Sequence, residues 1–204
     1  MGNLHSVRRA FDRLGHQVKD IHNESGLSGV DALILPGVGA FDPAMANLEA
    51  TGLVPHLRRW IDDGGALLGI CLGLQLLFEG SDEGSRDGLG VFTGRVRRLP
   101  ASAGERVPHM GWAPLQVQYN SPLLQKDDPQ AWVYFVHSYA AAPDPLDCLA
   151  ATAPFGNEQV AAMVWKDRVG ACQFHPEKSS DCGELLLKRW LAWLQRSVTP
   201  AQQV

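Results

Sequence analysis

Two hydrophobic periods alternate along the first 80 residues. Residues 3–14 place Val7, Ala10, Phe11 and Leu14 on one helical face, and Gly15 follows as a C-cap. Residues 16–21 predict a short strand. Asp31-Ala32-Leu33-Ile34-Leu35 predicts a buried strand that stops at Pro36-Gly37-Val38-Gly39. Asp42-Pro43 then predicts a helix start, with aspartate at the cap and proline at the first helical position. A second helix over Val54–Asp62 ends at Gly64-Gly65. The apolar run Ala66-Leu67-Leu68 leads into Gly69-Ile70-Cys71-Leu72-Gly73, after which residues 74–78 read as helix. Strands alternating with helices predict an α/β domain with a largely parallel sheet and helices on both faces.

The middle of the chain changes character. Residues 90–119 and 132–139 are short apolar runs broken by Gly, Pro and Asp, so they predict strands that are partly antiparallel. Residues 160–164 and 169–174 predict a hairpin that delivers His175. A last helix over 183–195 turns Leu186, Trp190, Trp193 and Leu194 inward. Trp112, Trp132 and Trp165 are also expected in the core.

Composition narrows the class. The 204 residues are 45% hydrophobic and 20% charged, ordinary for one soluble domain spanning 1–204. A formal charge of −4, with no basic block beyond Arg95-Val96-Arg97-Arg98, argues against nucleic-acid binding. No apolar stretch approaches the roughly 20 residues that cross a bilayer, and the N-terminus shows no signal-peptide core. Cys71, Cys148, Cys172 and Cys182 have neither CxxC nor zinc spacing, which fits reduced thiols in the cytoplasm. No metal and no cofactor is expected.

The candidate chemistry centres on Cys71. A Gly-x-nucleophile-x-Gly elbow makes a strand turn sharply into a helix and lifts the middle side chain clear of the backbone. The following helix N-terminus favours a thiolate, and Leu72 N–H would point toward a developing oxyanion. Much later, Phe174-His175-Pro176-Glu177 supplies a base with a carboxylate two residues on. In an extended segment those two side chains share a side, so Glu177 can orient His175 while its other nitrogen faces Cys71. The glycines flanking Val38 leave that peptide free to reorient, making Val38 N–H a candidate second oxyanion donor. Taken alone, each motif has a bland reading: a core thiol, a proline-terminated strand, a Pro-Gly turn. Together they predict covalent cysteine catalysis.

The chain resembles the class I, triad-type glutamine amidotransferases. The resemblance rests on Pro36-Gly37-Val38-Gly39, Gly69-Ile70-Cys71-Leu72-Gly73-Leu74-Gln75 and Gln173-Phe174-His175-Pro176-Glu177-Lys178-Ser179. Within that class, Gly2-Asn3-Leu4-His5-Ser6-Val7, Pro108-His109-Met110-Gly111-Trp112 and Tyr134-Phe135-Val136-His137-Ser138-Tyr139 are similar to the glutaminase subunits of imidazole glycerol phosphate synthases. It implies a flavodoxin-like fold with an antiparallel extension. Glutamine is the implied substrate, with Gly37, Gln75, Ser138 and Tyr139 holding it. A separate cyclase subunit is the implied partner in a heterodimer of histidine biosynthesis, with Asn3 and Lys178 near the interface. Other synthase glutaminases, such as the anthranilate synthase type, and γ-glutamyl hydrolases are the alternatives.

The sequence departs from the family pattern twice. Ala113 stands where the family has Asn after Trp112, leaving no polar side chain there. Family members also carry an apolar strand before Met-Gly-Asn, so the expectation is a sheet lacking its first strand.

Overall fold

The computed structural model describes residues 2–100, 102 and 104–197, and the side chains of 4–100, 102 and 104–196. Helix α1 (Gly2–Arg13) precedes strand β1 (Ala32–Gly37), helices α2 (Phe41–Ala50) and α3 (Val54–Asp62), strand β2 (Ala66–Cys71) and the short helix α4 (Leu72–Leu76). Eight strands follow: β3 (Gly94–Arg98), β4 (His109–Pro114), β5 (Gln116–Val117), β6 (Trp132–His137), β7 (Tyr139–Pro143), β8 (Leu149–Phe155), β9 (Glu158–Lys166) and β10 (Val169–Cys172). Helix α5 (Ser180–Ser197) closes the described chain.

The main sheet has the order β1-β2-β10-β9-β8-β5. β2 is parallel to both β1 and β10, while β9, β8 and β5 continue as the antiparallel extension. All six residues of β2 are buried because both sheet faces are covered. Ala66, Leu68 and Ile70 pack with Val7 and Phe11 of α1 and with Leu187 and Trp190 of α5. Leu67 packs on the opposite face with Met45 of α2, Leu57 of α3 and Leu74 of α4. Two further ribbons, β3–β7 and β4–β6, stand beside the sheet and meet where β6 runs through Ser138 into β7.

Several expectations need correction. Residues 16–21 form no strand, because polar Gln17, Lys19 and Asp20 alternate with side chains that pack only partly, and among the described residues no strand pairs with them. Arg8 and Lys19 instead pin this connection, through Asp20 and the Ser28 carbonyl respectively. Asp42 does not cap α2. That helix begins at Phe41, whose N–H donates to Glu83 Oε2 at 2.9 Å, while the Asp42 carboxylate accepts from the N–H groups of Ser85 and Arg86. Those two backbone donors hold the Asp42 carboxyl below its usual range. The elbow helix starts at Leu72 rather than 74, directly on the nucleophile candidate. Trp112 and Trp132 are half exposed, since each lies on the outer face of the β4–β6 ribbon, which only its inner face buries. Trp193 is partly buried, edge-on to Trp165 with Arg168 over its ring.

Among the described residues β1 pairs only with β2. Its other side borders a cleft of about 950 Å³ lined by Leu4, Phe11, Val18, Leu33, Leu57 and Trp190 among others.

Candidate active site

β2 delivers Cys71 to the point where strand becomes helix. Cys71 takes φ 56° and ψ −112°, a conformation that a side chain rarely adopts and that the surroundings must enforce. The neighbouring glycines show how. A Cβ on Gly73 would lie 1.7 Å from the Leu35 carbonyl oxygen, and one on Gly69 would lie 2.9 Å from the Ala171 Cβ. Both elbow glycines are therefore close-approach positions as well as turn residues. Gly37 pairs with Cys71 in the β1–β2 register, so the Pro36–Gly39 loop sits beside the elbow. A Cβ at Gly37 would lie 3.3 Å from the Gly73 nitrogen. Leu72 N–H opens α4, and the Val38 side chain is half exposed on the adjoining loop.

β10, beside β2, brings in the base. The strand ends at Cys172, and a bend over 173–174 leads to His175, whose N–H donates to the Tyr134 carbonyl at 3.0 Å. The chain then turns in a single 3₁₀ turn, Pro176–Lys178. That turn, rather than an extended i, i+2 segment, lets Glu177 Oε1 meet His175 Nδ1 at 2.8 Å. Ser179 Oγ locks the turn by donating to the His175 carbonyl at 2.7 Å and accepting from Tyr134 N–H at 2.9 Å. The imidazole is fully buried and the Glu177 side chain almost so. Burial alone would lower the His175 pKa. Hydrogen bonding and charge from Cys71 and Glu177 outweigh it and raise the pKa to about 9. Glu177 occupies Nδ1, which leaves Nε2 as the ring nitrogen for Cys71 and the reacting group. The other three cysteines have no such setting: burial pushes the thiols of Cys148, Cys172 and Cys182 up.

This strand–elbow–helix with a buried His–Glu pair is what thiol acyl transfer requires. A family profile described as "Glutamine amidotransferase class-I" matches residues 1–191. The chain belongs to the class-I glutamine amidotransferases. This amidotransferase is 64% identical over 200 residues, 98% of its length and 94% of the relative's, to the "Imidazole glycerol phosphate synthase subunit HisH" of Synechococcus sp. (strain CC9605). It is 63% identical over 196 residues, 96% of its length and 92% of the relative's, to "subunit HisH 2" of Parasynechococcus marenigrum (strain WH8102). Among solved structures, one described as "Crystal structure of glutamine amidotransferase" superposes with TM-score 0.73 at 22% identity, covering 94% and 93% of the two chains. The glutaminase domain of Trypanosoma brucei CTPS with bound acivicin gives 0.63 at 16%, covering 94% and 88%. At such identities these two establish the fold.

The remaining predicted residues of the amidotransferase distribute as follows. Gln75, on α4, is buried, and its Nε2 donates to the Tyr139 carbonyl at 2.9 Å. Ser138 and Tyr139, half buried, form the junction of β6 and β7, with the Ser138 carbonyl accepting from Leu99 N–H at 2.9 Å. Gly37 is the register partner of Cys71, while Gln75 links the Tyr139 carbonyl to Gln173 Oε1. Lys178 is exposed at the end of the 3₁₀ turn, which lies against α1. Asn3 falls in α1, but its side chain lies outside the described residues. Ala113 is buried against Val133 and Phe135, an apolar setting that suits it.

Two polar residues at the site went unpredicted. Gln173 is fully buried, and its Nε2 donates to Cys71 Sγ at 3.8 Å. His137 is buried on β6, with Nδ1 2.8 Å from the Tyr139 carbonyl.

Proposed function

We propose that this chain is the glutaminase subunit of an imidazole glycerol phosphate synthase, acting as one amidotransferase domain over residues 1–204. The single observation that carries the reading is Cys71 held in a strained elbow with a buried His175–Glu177 pair beside it. Its 64% identity to a protein named as that synthase's subunit narrows the class to this member.

The geometry supports a definite sequence of steps. His175, its pKa raised to about 9 by Cys71 and Glu177 against burial, takes the Cys71 proton, and Sγ attacks as the thiolate. Sγ bonds to the side-chain amide carbon of glutamine, and the oxyanion is held by the N–H groups of Leu72 and Val38. His175 Nε2 gives its proton to the departing nitrogen, ammonia leaves, and a γ-glutamyl thioester remains. His175, now neutral, takes a proton from water as that water attacks the thioester. The tetrahedral adduct collapses, the C–S bond breaks, and glutamate leaves the regenerated thiolate. Glu177 holds the ring and balances its charge throughout. Gly37, Gln75, Ser138 and Tyr139 hold the substrate around the elbow.

Ammonia then serves a cyclase subunit that forms imidazole glycerol phosphate and an aminoimidazole carboxamide ribotide in the cytoplasm. Support for a partner comes from the outer face of the β4–β6 ribbon. Met110, Trp112 and Trp132 are exposed there beside half-buried Tyr134 and Val136, an apolar surface of the kind that docks proteins. Lys178 and Asn3 extend the same reading to the 3₁₀ turn and α1.

Ammonia release from glutamine, measured alone and with the cognate cyclase and its ligand, tests the proposal. Slow release alone and a large rise with the partner are expected. Cys71→Ala should abolish release while leaving cyclase activity with added ammonia intact. Equal rates with and without the partner would count against coupling.

A further inference from the structure

Cys71 has a second polar neighbour besides His175. β10 and β2 run parallel with Cys172 opposite Ile70, so one step further along the register sets Gln173 beside Cys71. Side chains at paired positions point to the same face, which directs the Gln173 amide at the sulfur. Its own N–H is tied to the Ala162 carbonyl, fixing the backbone from which the side chain springs.

The direction of the hydrogen bonds is not arbitrary. The Tyr139 carbonyl can only accept, so the Gln75 atom 2.9 Å from it must be the amide nitrogen. That nitrogen also donates to Gln173 Oε1 at 3.1 Å. Gln173 therefore presents Nε2, a donor, to Cys71 Sγ at 3.8 Å. The same carbonyl fixes His137 as the Nδ1–H tautomer, donating at 2.8 Å. One backbone carbonyl thus sets the polarity of a buried chain that ends at the sulfur.

We propose that Gln173 is a catalytic residue that donates a hydrogen bond to the Cys71 thiolate, and that Gln75 aims it. Gln173 exchanges no proton; the thiol proton goes to His175 and the amide N–H stabilises the charge left behind. Both amides are buried, so no water competes for the sulfur from that side. The inference rests on Cys71 being the nucleophile.

The test compares the parent chain with Q173E, Q173M and C71S. Q173E keeps the oxygen that accepts from Gln75 but replaces the donor to sulfur with an acceptor; Q173M keeps the length and removes both groups. Thermal unfolding establishes that each variant is folded, and Q173M carries the test if Q173E is not. The readouts are the pH midpoint of Cys71 alkylation by iodoacetamide, followed by peptide mass, and kcat and KM for glutamine hydrolysis. Loss of a hydrogen bond to a charged group should move the Q173M midpoint up by about one pH unit, and Q173E further. A matching fall in kcat of about tenfold, with KM nearly constant, is expected because the bond acts on the reacting sulfur. Unmoved midpoints overturn the proposal, even if kcat falls, since a purely structural amide would leave the thiol's titration alone. If C71S still hydrolyses glutamine, the assignment of the nucleophile fails instead, whatever Gln173 does.

Discussion

The elbow and the β4–β6 ribbon are built on opposite principles, although Tyr134 ties the ribbon to the His175–Ser179 turn, its carbonyl accepting from His175 N–H and its N–H donating to Ser179 Oγ. At the elbow every atom is hemmed in. β2 is buried on both faces, Cys71 is strained, and Gly73 nearly touches the backbone of β1. The ribbon has one buried face, carrying His109, Phe135 and His137, and one open face of exposed Met110, Trp112 and Trp132. Chemistry demands fixed geometry, and a docking surface demands free apolar area. The two meet at Tyr134, whose backbone bonds both His175 and Ser179.

Glycine substitutions break the comparison most sharply. Gly73→Ala forces a Cβ against the Leu35 carbonyl, so urea unfolding should show a loss of more than about 4 kcal/mol, and Cys71 alkylation should lose its fast phase. Gly111 on the ribbon has φ 139° but open space around it. Gly111→Ala should therefore cost only the backbone strain, about 1 to 2 kcal/mol in the same measurement. Equal losses at the two positions would mean that the elbow is no more constrained than the ribbon.

The next effect separates orientation from docking. Glu177→Gln keeps the hydrogen-bonding shape but removes the charge that helps hold a proton on His175. A fall in kcat of roughly 100-fold with little change in KM is expected, because the imidazolium loses its counter-charge in the transition state. Trp112→Ala with Trp132→Ala should do the reverse: the rate without partner stays within about twofold, while affinity for the cyclase drops about 30-fold by titration calorimetry. Unaltered partner affinity would remove the ribbon from the interface.

The same contrast explains what the sequence could tell. Buried α/β elements were legible because β2 is a continuous apolar run and Val54–Asp62 carries a clean helical face bounded by glycines. The elbow motif gave the turn at Cys71, and the closeness of His175 to Glu177 was legible from their spacing although a 3₁₀ turn, not extended chain, brings them together. The ribbon misled: Trp112 and Trp132 look like core residues, since a sequence records apolarity and not which face another element covers. Residues 16–21 misled because a strand needs a neighbour to pair with, and alternation alone supplies none. Asp42 misled because the cap for α2 comes from Glu83, some forty residues on. Gln173 was hidden because its meaning depends on lying opposite Cys71 across two strands.

The smallest predicted effect sets two buried histidines against each other. His137, on the ribbon, has no carboxylate partner: burial first, with the neighbouring His109 and His175 adding to it against the Tyr139 carbonyl, lowers its pKa to about 4. His175 has Glu177 and Cys71, and its pKa rises to about 9 despite burial. The signs of their linkage to stability are therefore opposite. Unfolding lets His137 take up a proton below its usual value near 6.5, so its contribution is intact above that pH and is lost as pH falls toward 4. The contribution of His175 is intact below about 6.5 and is lost as pH rises through about 9. Between pH 7.5 and 5.5 the two contributions change in opposite directions, so the difference in urea unfolding between the parent and a His137 variant isolates the ribbon histidine. His137→Gln, which can still donate to the Tyr139 carbonyl, should flatten the acid-side loss by on the order of 1 kcal/mol relative to the parent. An acid limb unchanged by His137→Gln would mean that the ribbon's inner face accepts the proton without resistance, and the contrast between the two histidines would disappear.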